Sequence, residues 1–111
     1  MEVRWLHDAL ADVTGIYRYV AADDPRAAAR VVERIQAAIL LLAEMPRRGR
    51  PGRWPGTREL VVPRTSYIVP YRVAGDHIEI LRVFHGARRW SEDPSSGGHM
   101  ERGPGESPAP R

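Results

Sequence analysis

Residues 57–85 read TRELVVPRTSYIVPYRVAGDHIEILRVFH, and three short runs within them are rich in β-branched and aromatic residues. Runs of this kind, bounded by Pro, Gly, Asp and Ser, are typical of β-strands. We therefore predict strands at 57–62, 67–73 and 78–85. The Ala-Gly-Asp sequence at 74–76 predicts a turn that pairs the last two strands as a hairpin.

Alternation in the middle strand predicts which of its faces is buried. Tyr67, Val69, Tyr71 and Val73 share one face, because successive side chains of a strand point to opposite sides. The two tyrosines could stack on a nucleic-acid base, but aromatic residues that alternate with valine are more often core, and we favour a buried face covered by helices. Pro70 lacks a ladder donor and predicts an edge position or a bulge.

Two amphipathic helices precede these strands. Apolar residues recur every three or four positions over residues 5–20, and residues 1–5 before them are a candidate for a short strand. Asp24 and Pro25 predict the start of a second helix, which Pro46 ends. The short link between the helices predicts an antiparallel hairpin. The predicted fold is α+β, with the order β-α-α-β-β-β and a mainly antiparallel sheet.

The length of 111 residues fits one small domain, and the absence of cysteine excludes disulfides, thiol nucleophiles and iron–sulfur clusters. Residues 92–111 are rich in Pro, Gly and Ser and predict a disordered tail, which leaves a domain at residues 1–91. No signal peptide or membrane-length apolar run is present, so we expect a cytoplasmic protein that does not bind membranes. The histidines lack metal-ligand spacing and no phosphate-binding glycine motif occurs, so we expect no metal and no cofactor.

The positive charge is concentrated in one part of the chain. All seventeen basic residues are arginine, and residues 46–91 hold ten of them against three acidic residues. Such a region is complementary to a polyanion or to an acidic protein. Three prolines and three glycines predict a loop without regular structure at 46–56. Its four arginines, which form either an electropositive patch or a solvated linker, are Arg47, Arg48, Arg50 and Arg53.

Several segments of residues 1–91 match the sequence hallmarks of one protein family in the same order and spacing. They are Trp5, Ala9-Leu10, Ile16-Tyr17-Arg18-Tyr19 and Asp24-Pro25, then TRELVV at 57–62, YIVPYRV at 67–73, IEILRV at 78–83 and HGARRW at 85–90. Together they resemble the RelE/ParE toxins of bacterial type II toxin–antitoxin systems. The resemblance implies a toxin that is silenced in a hetero-oligomeric complex by a cognate antitoxin, which is encoded beside it and wraps across its surface.

The family has two branches with different targets. RelE-like members cleave messenger RNA in the ribosomal A site, whereas ParE-like members inhibit DNA gyrase without being enzymes. The ribonuclease branch uses lysines in the first strand of the hairpin region and an arginine just after the tyrosine of the next strand. Glu59 and Val61 stand where those lysines would be, and Ile68 stands where the arginine would be. The resemblance therefore favours the ParE-like branch, with DNA gyrase as the partner.

The alternative is a ribosome-dependent endoribonuclease that acts on mRNA. Some ribonuclease members use a Glu and a His, and RNA cleavage needs a base for the 2′-hydroxyl proton and cations for the phosphate. The resemblance then gives the candidate catalytic set Arg58, Glu59, Arg82 and His85. A hydrogen bond within a tight turn at Gly86 is the structural interpretation of His85, and we favour it. A third hypothesis is a non-toxic relative that binds only its antitoxin or nucleic acid.

The candidates for contacts with the target or the antitoxin are Arg58, Tyr67, Arg72, Arg82, Arg88, Arg89 and Trp90. The first three arginines lie on neighbouring predicted strands and would clamp a phosphate or a carboxylate if they shared a face. Alternatively, each of them pairs with Glu59 or Glu79. The Arg-Arg-Trp sequence at 88–90 is typical of interface hot spots, although its tryptophan could simply close the end of the core.

Overall fold

The computed structural model describes residues 1–87, which form a pair of helices packed against one six-stranded mixed sheet. The elements are β1 (Glu2–Trp5), α1 (His7–Ala21), α2 (Pro25–Leu42), β2 (Arg50–Pro51), β3 (Arg58–Val61), β4 (Tyr67–Ala74), β5 (His77–Ile80) and β6 (Phe84–His85). The sheet order is β1-β5-β4-β3-β2, and β6 pairs with β4 beside β5. β1 runs parallel to β5, and the other pairs are antiparallel. The predicted α+β class is confirmed, while the predicted tail and the domain boundary at residue 91 lie outside the described residues.

Local signals explain where the helices begin. The Asp24 carboxylate accepts hydrogen bonds from the backbone N–H groups of Arg26 and Ala27 at 3.1 and 3.2 Å, and Pro25 occupies the first turn. These contacts satisfy donors that the first turn would otherwise leave unpaired. Leu6 precedes α1 without a side-chain cap. Packing against α2 and the sheet therefore contributes more to α1 than its own N-terminus does.

The hydrophobic core lies between the two helices and one face of the sheet. Its members include Ala9, Ile16, Ile35, Ala38, Ile39, Leu42, Leu60, Tyr67, Val69, Tyr71, Ile78 and Ile80. Tyr67 and Tyr71 are both buried, which confirms the core interpretation of these residues. The Tyr71 hydroxyl donates to the carbonyl of Pro46 and accepts from the N–H of Gly49, each at 2.8 Å. It thereby fixes the arginine-rich loop to the end of the core.

Pro70 lies in β4, which has neighbours on both sides, so of the two predicted alternatives the edge position was wrong. Between the pairs Ile68–Phe84 and Tyr71–Ile80, residues 69–70 of β4 lie opposite residues 81–83, and this extra residue agrees with the predicted bulge. The predicted third strand is also interrupted, because β5 ends at Ile80 and β6 begins at Phe84. The Pro70 carbonyl accepts from the N–H of Leu81 at 3.0 Å. The nitrogen of a strand residue points to the same side as its carbonyl, so the Pro70 nitrogen faces this interruption. A missing donor there costs no ladder hydrogen bond.

The loop at 46–56 was predicted to lack regular structure, and this was wrong for β2. Arg50 and Pro51 pair with Glu59 and Arg58. The N–H of Gly52 donates to the Thr57 carbonyl at 2.8 Å, so Pro51, one residue before, turns its nitrogen to the outside of the sheet. Proline is tolerated at an edge in that orientation.

Candidate functional site

Glu59 is the centre of a charge cluster on the face of the sheet that points away from the helices. Its side chain is only 4% exposed. It accepts from the guanidinium groups of Arg50 and Arg53 at 3.0 Å each, and from the backbone N–H of Arg53 at 2.9 Å. Burial raises the pKa of Glu59, but the hydrogen bonds from Arg53 and Arg50 outweigh it and leave the pKa below its ordinary value of 4.5. The carboxylate anchors the arginine-rich loop to β3.

Replacing Glu59 by Gln is expected to lower the free energy of unfolding by about 1–3 kcal/mol near neutral pH, because hydrogen bonds to a charged group are lost. The stability that the ionised carboxylate contributes is present above pH 4.5 and is lost as the pH falls through the lowered pKa. The gap between wild type and variant should therefore narrow progressively as the pH falls below 4.5. Urea unfolding at neutral pH and at a series of lower pH values measures it, and a gap of constant size would contradict this role.

Arg58 and Arg72 lie on opposite faces of the sheet. Arg58 pairs in register with Tyr71 on the helix side, and its guanidinium donates to the carbonyls of Arg47 and Gly49 at 3.2 and 2.7 Å. Arg72 faces the other side and contacts Glu79 at 2.7 Å. The predicted clamp of Arg58, Arg72 and Arg82 is therefore wrong for the first two arginines. The predicted pairing with a glutamate on a neighbouring strand is confirmed for Arg72.

Arg82 forms a buried ion pair with Asp12 of α1. The Nε and Nη2 atoms donate to the two carboxylate oxygens at 2.8 and 2.9 Å, and the side chains are only 10% and 9% exposed. Asp12 also accepts from the N–H of Val83 at 2.8 Å, and the guanidinium carbon lies 4.7 Å from the ring centroid of Phe84. These contacts join α1 to the interruption between β5 and β6. Arg82 therefore neither completes the clamp nor pairs with Glu59 or Glu79.

His85 is the last residue of β6, and its side chain is hydrogen-bonded to the turn that follows at residues 86–87. Its Nδ1 accepts from the N–H of Ala87 at 3.1 Å, and its ring packs edge-on against Tyr67 with centroids 5.5 Å apart. The N–H of Gly86 donates to the carbonyl of Ser66. The prediction of a histidine hydrogen-bonded within a tight turn is confirmed.

The four residues of the candidate ribonuclease set each have separate partners. Within residues 1–87, no hydrogen bond or ion pair joins any two of Arg58, Glu59, Arg82 and His85. The predicted contact residues Arg88, Arg89 and Trp90 lie outside the described residues. In the described part of the chain, no three His, Cys, Asp or Glu residues form a group that could hold a metal ion. None of the helices there is long and apolar enough to cross a membrane.

Asp12 is the important residue that the sequence analysis did not single out. It lies three residues after Ala9 and four before Ile16, both of which are buried. A carboxylate at the margin of the apolar stripe of a helix requires a partner when the helix packs. The position of Asp12 beside this stripe was the sequence signal that could have identified it as a residue with a buried partner.

These features define a small α+β domain in which Glu59, Arg72 and Arg82 form ion pairs within the fold. Residues 3–90 match the family model described as the ParE toxin of the type II toxin–antitoxin system parDE. The chain belongs to the ParE/RelE family of toxins of type II toxin–antitoxin systems.

Individual relatives carry names from both branches of the family. A Sinorhizobium fredii protein named toxin Y4kP is 49% identical over 90 residues, which cover 81% of this chain and 93% of that protein. Toxin RelE2 of Caulobacter vibrioides is 39% identical over 87 residues, which cover 78% of this chain and 97% of that protein. A structure of the chromosomal ParDE toxin–antitoxin system from P. aeruginosa matches with a TM-score of 0.67 and 35% identity, covering 75% of this chain and 92% of the other. The RelBE2 toxin–antitoxin complex from Mycobacterium tuberculosis matches with a TM-score of 0.50 and 30% identity, covering 76% and 95%.

Proposed function

We propose that this toxin inhibits DNA gyrase through a protein surface, without catalysing a reaction itself. One observation carries the proposal: the candidate catalytic residues of the ribonuclease alternative form contacts that hold the fold together. Cleavage of RNA by its own 2′-hydroxyl requires a base and cations that converge on one phosphate. Arg82 is instead buried against Asp12, and Glu59 is enclosed by two arginines.

The proton chemistry of the two candidate bases supports the same proposal. Glu59 has a pKa below 4.5, whereas an efficient general base at neutral pH has a pKa near 7. Nδ1 of His85 accepts a hydrogen bond, so the proton of the neutral ring lies on Nε2. Neither nitrogen of that ring then offers a free lone pair to a 2′-hydroxyl.

A cognate antitoxin is the second part of the proposal. The structural relatives from P. aeruginosa and Mycobacterium tuberculosis are named for toxin–antitoxin systems. Leu10 of α1 and Leu40 of α2 line one mainly apolar pocket and are 52% and 69% exposed. Because exposed clusters of large apolar side chains mark interaction surfaces, we infer a hetero-oligomeric complex in the cytoplasm.

Plasmid topology in cells tests the target. On induction without antitoxin, we expect a reporter plasmid to become relaxed before messenger RNA is degraded, because gyrase supplies negative supercoils. The His85→Ala variant should relax the plasmid as the wild type does, since this residue has no catalytic role in the proposal. Rapid A-site cleavage of mRNA with unchanged supercoiling would instead support the ribonuclease function. Normal growth with abundant folded protein would support a non-toxic relative.

A further inference from the structure

A row of apolar side chains crosses three strands on the face of the sheet that points away from the helices. Val61 of β3 stands opposite Ile68 of β4, and Ile68 stands opposite Phe84 of β6. Directly opposed residues of antiparallel strands place their side chains on the same face. Tyr67 and Val69, the neighbours of Ile68 in β4, lie in the core on the other face, so the row points outward. We refer to Val61, Ile68 and Phe84 as the outer row.

The outer row is covered at one end and open at the other. Phe84 is only 7% exposed, since the Trp54 ring meets it edge-on and the Arg82 guanidinium carbon lies 4.7 Å from its centroid. Ile68 in the middle is half-buried. Val61 at the other end is 49% exposed. Covering this open end with an apolar side chain of a partner would remove apolar surface from water, which is favourable.

The charged groups beside the outer row carry a net positive charge. Glu59 lies two residues before Val61 and therefore on the same face. Arg50 and Arg53 both contact this one carboxylate, and their side chains remain 53% and 42% exposed. Two cations thus share one anion next to the apolar row. This balance favours a partner that brings carboxylates to the rim of an apolar contact.

We infer that the outer row is the surface through which the toxin binds gyrase, and that it receives an apolar side chain of gyrase flanked by carboxylates. An apolar centre with a polar rim is the usual composition of a protein–protein interface. The two arginines would hold the flanking carboxylates by charge-assisted hydrogen bonds. A nucleic acid fits this surface less well, because Val61 and Ile68 offer no ring on which a base could stack. This inference rests on the proposed function and specifies its docking surface.

Two substitutions of the same kind test the outer row. Val61→Glu places a carboxylate at the exposed end of the row, and Leu40→Glu places one in the exposed apolar pocket of the helices. The toxin concentration that halves gyrase supercoiling is measured for each purified variant. We expect it to rise about 30-fold or more for Val61→Glu and less than about 3-fold for Leu40→Glu. Thermal unfolding verifies that both variants are folded.

The variant Val61→Lys tests the charge of the partner. Its aliphatic stem would still lie along the outer row, and its ammonium group would meet the carboxylates of gyrase. We therefore expect a loss of inhibition of no more than about 5-fold, well below that of Val61→Glu. Equal losses for the two variants would overturn the inference of an acidic partner.

Photo-crosslinking provides a measurement that does not depend on a loss of function. The photoreactive amino acid p-benzoylphenylalanine in place of Val61 should crosslink to gyrase, whereas in place of Leu40 it should not. Equal inhibition by the two Glu variants, or crosslinks from position 40 and none from position 61, would overturn the inference but leave gyrase inhibition intact. Crosslinks from position 61 to residues 88–111 would assign the outer row to the chain's own C-terminal segment, and would also overturn it. If the wild type does not inhibit gyrase, the proposed function fails, and this inference fails with it.

Discussion

Replacing Arg82 by Ala is expected to lower the free energy of unfolding by about 3–5 kcal/mol, because it leaves a buried carboxylate without its cation. Asp12 would retain the N–H of Val83 as a donor at 2.8 Å but would lose both guanidinium contacts. The packing of Arg82 over the ring of Phe84 would also disappear. Urea unfolding monitored by circular dichroism measures the loss.

Arg72→Ala is the matched control for this experiment. Its partner Glu79 is also a carboxylate, but the Arg72 side chain is 38% exposed. Exposed ion pairs contribute little, so we expect a loss within about 1 kcal/mol. Equal losses for the two variants would show that burial of the Arg82 pair has no special importance for the fold.

Replacing Ile35 by Ala is expected to cost about 2–5 kcal/mol, because it removes three buried carbon atoms and leaves a cavity. Ile35 lies on α2 and is completely buried against the core. A domain of this size has a total stability of only about 5–15 kcal/mol, so the variant should be substantially less stable to heat and urea.

Leu40→Ala on the same helix is the control for Ile35. Leu40 is 69% exposed, and its truncation should change the stability by no more than about 0.5 kcal/mol. Both substitutions introduce alanine, which has a high helix propensity, so a loss of helix propensity explains neither change in stability. A larger loss for Leu40 than for Ile35 would contradict the assignment of the buried face of α2.

Local signals were sufficient for much of the fold. Asp24 and Pro25 predicted the start of α2, and the alternation around Tyr71 predicted the buried face of β4. The interruption between β5 and β6 was not predictable, because residues 78–85 have β-forming character throughout. Pairing with a neighbouring strand, rather than local propensity, decides where such a run breaks.

The arrangement of the candidate site was less predictable, since it depends on strand register. A shift of one residue reverses every side chain, and the register places Arg58 beside Tyr71 rather than on the face of Arg72. The partner of Arg82 lies 70 positions away on α1. His85 could be interpreted correctly because its partners lie within its own turn.

Gyrase supercoiling of a relaxed plasmid tests most directly whether the toxin acts on gyrase through a surface, as we propose. Purified, antitoxin-free toxin is added in increasing amounts, and lost supercoiling and linear DNA are both scored. A parallel translation reaction with ribosomes and messenger RNA is scored for A-site cleavage. We predict that gyrase is inhibited, that antitoxin reverses the effect, and that the messenger RNA stays intact. Full supercoiling in the presence of folded toxin, together with cleaved messenger RNA, would contradict the account.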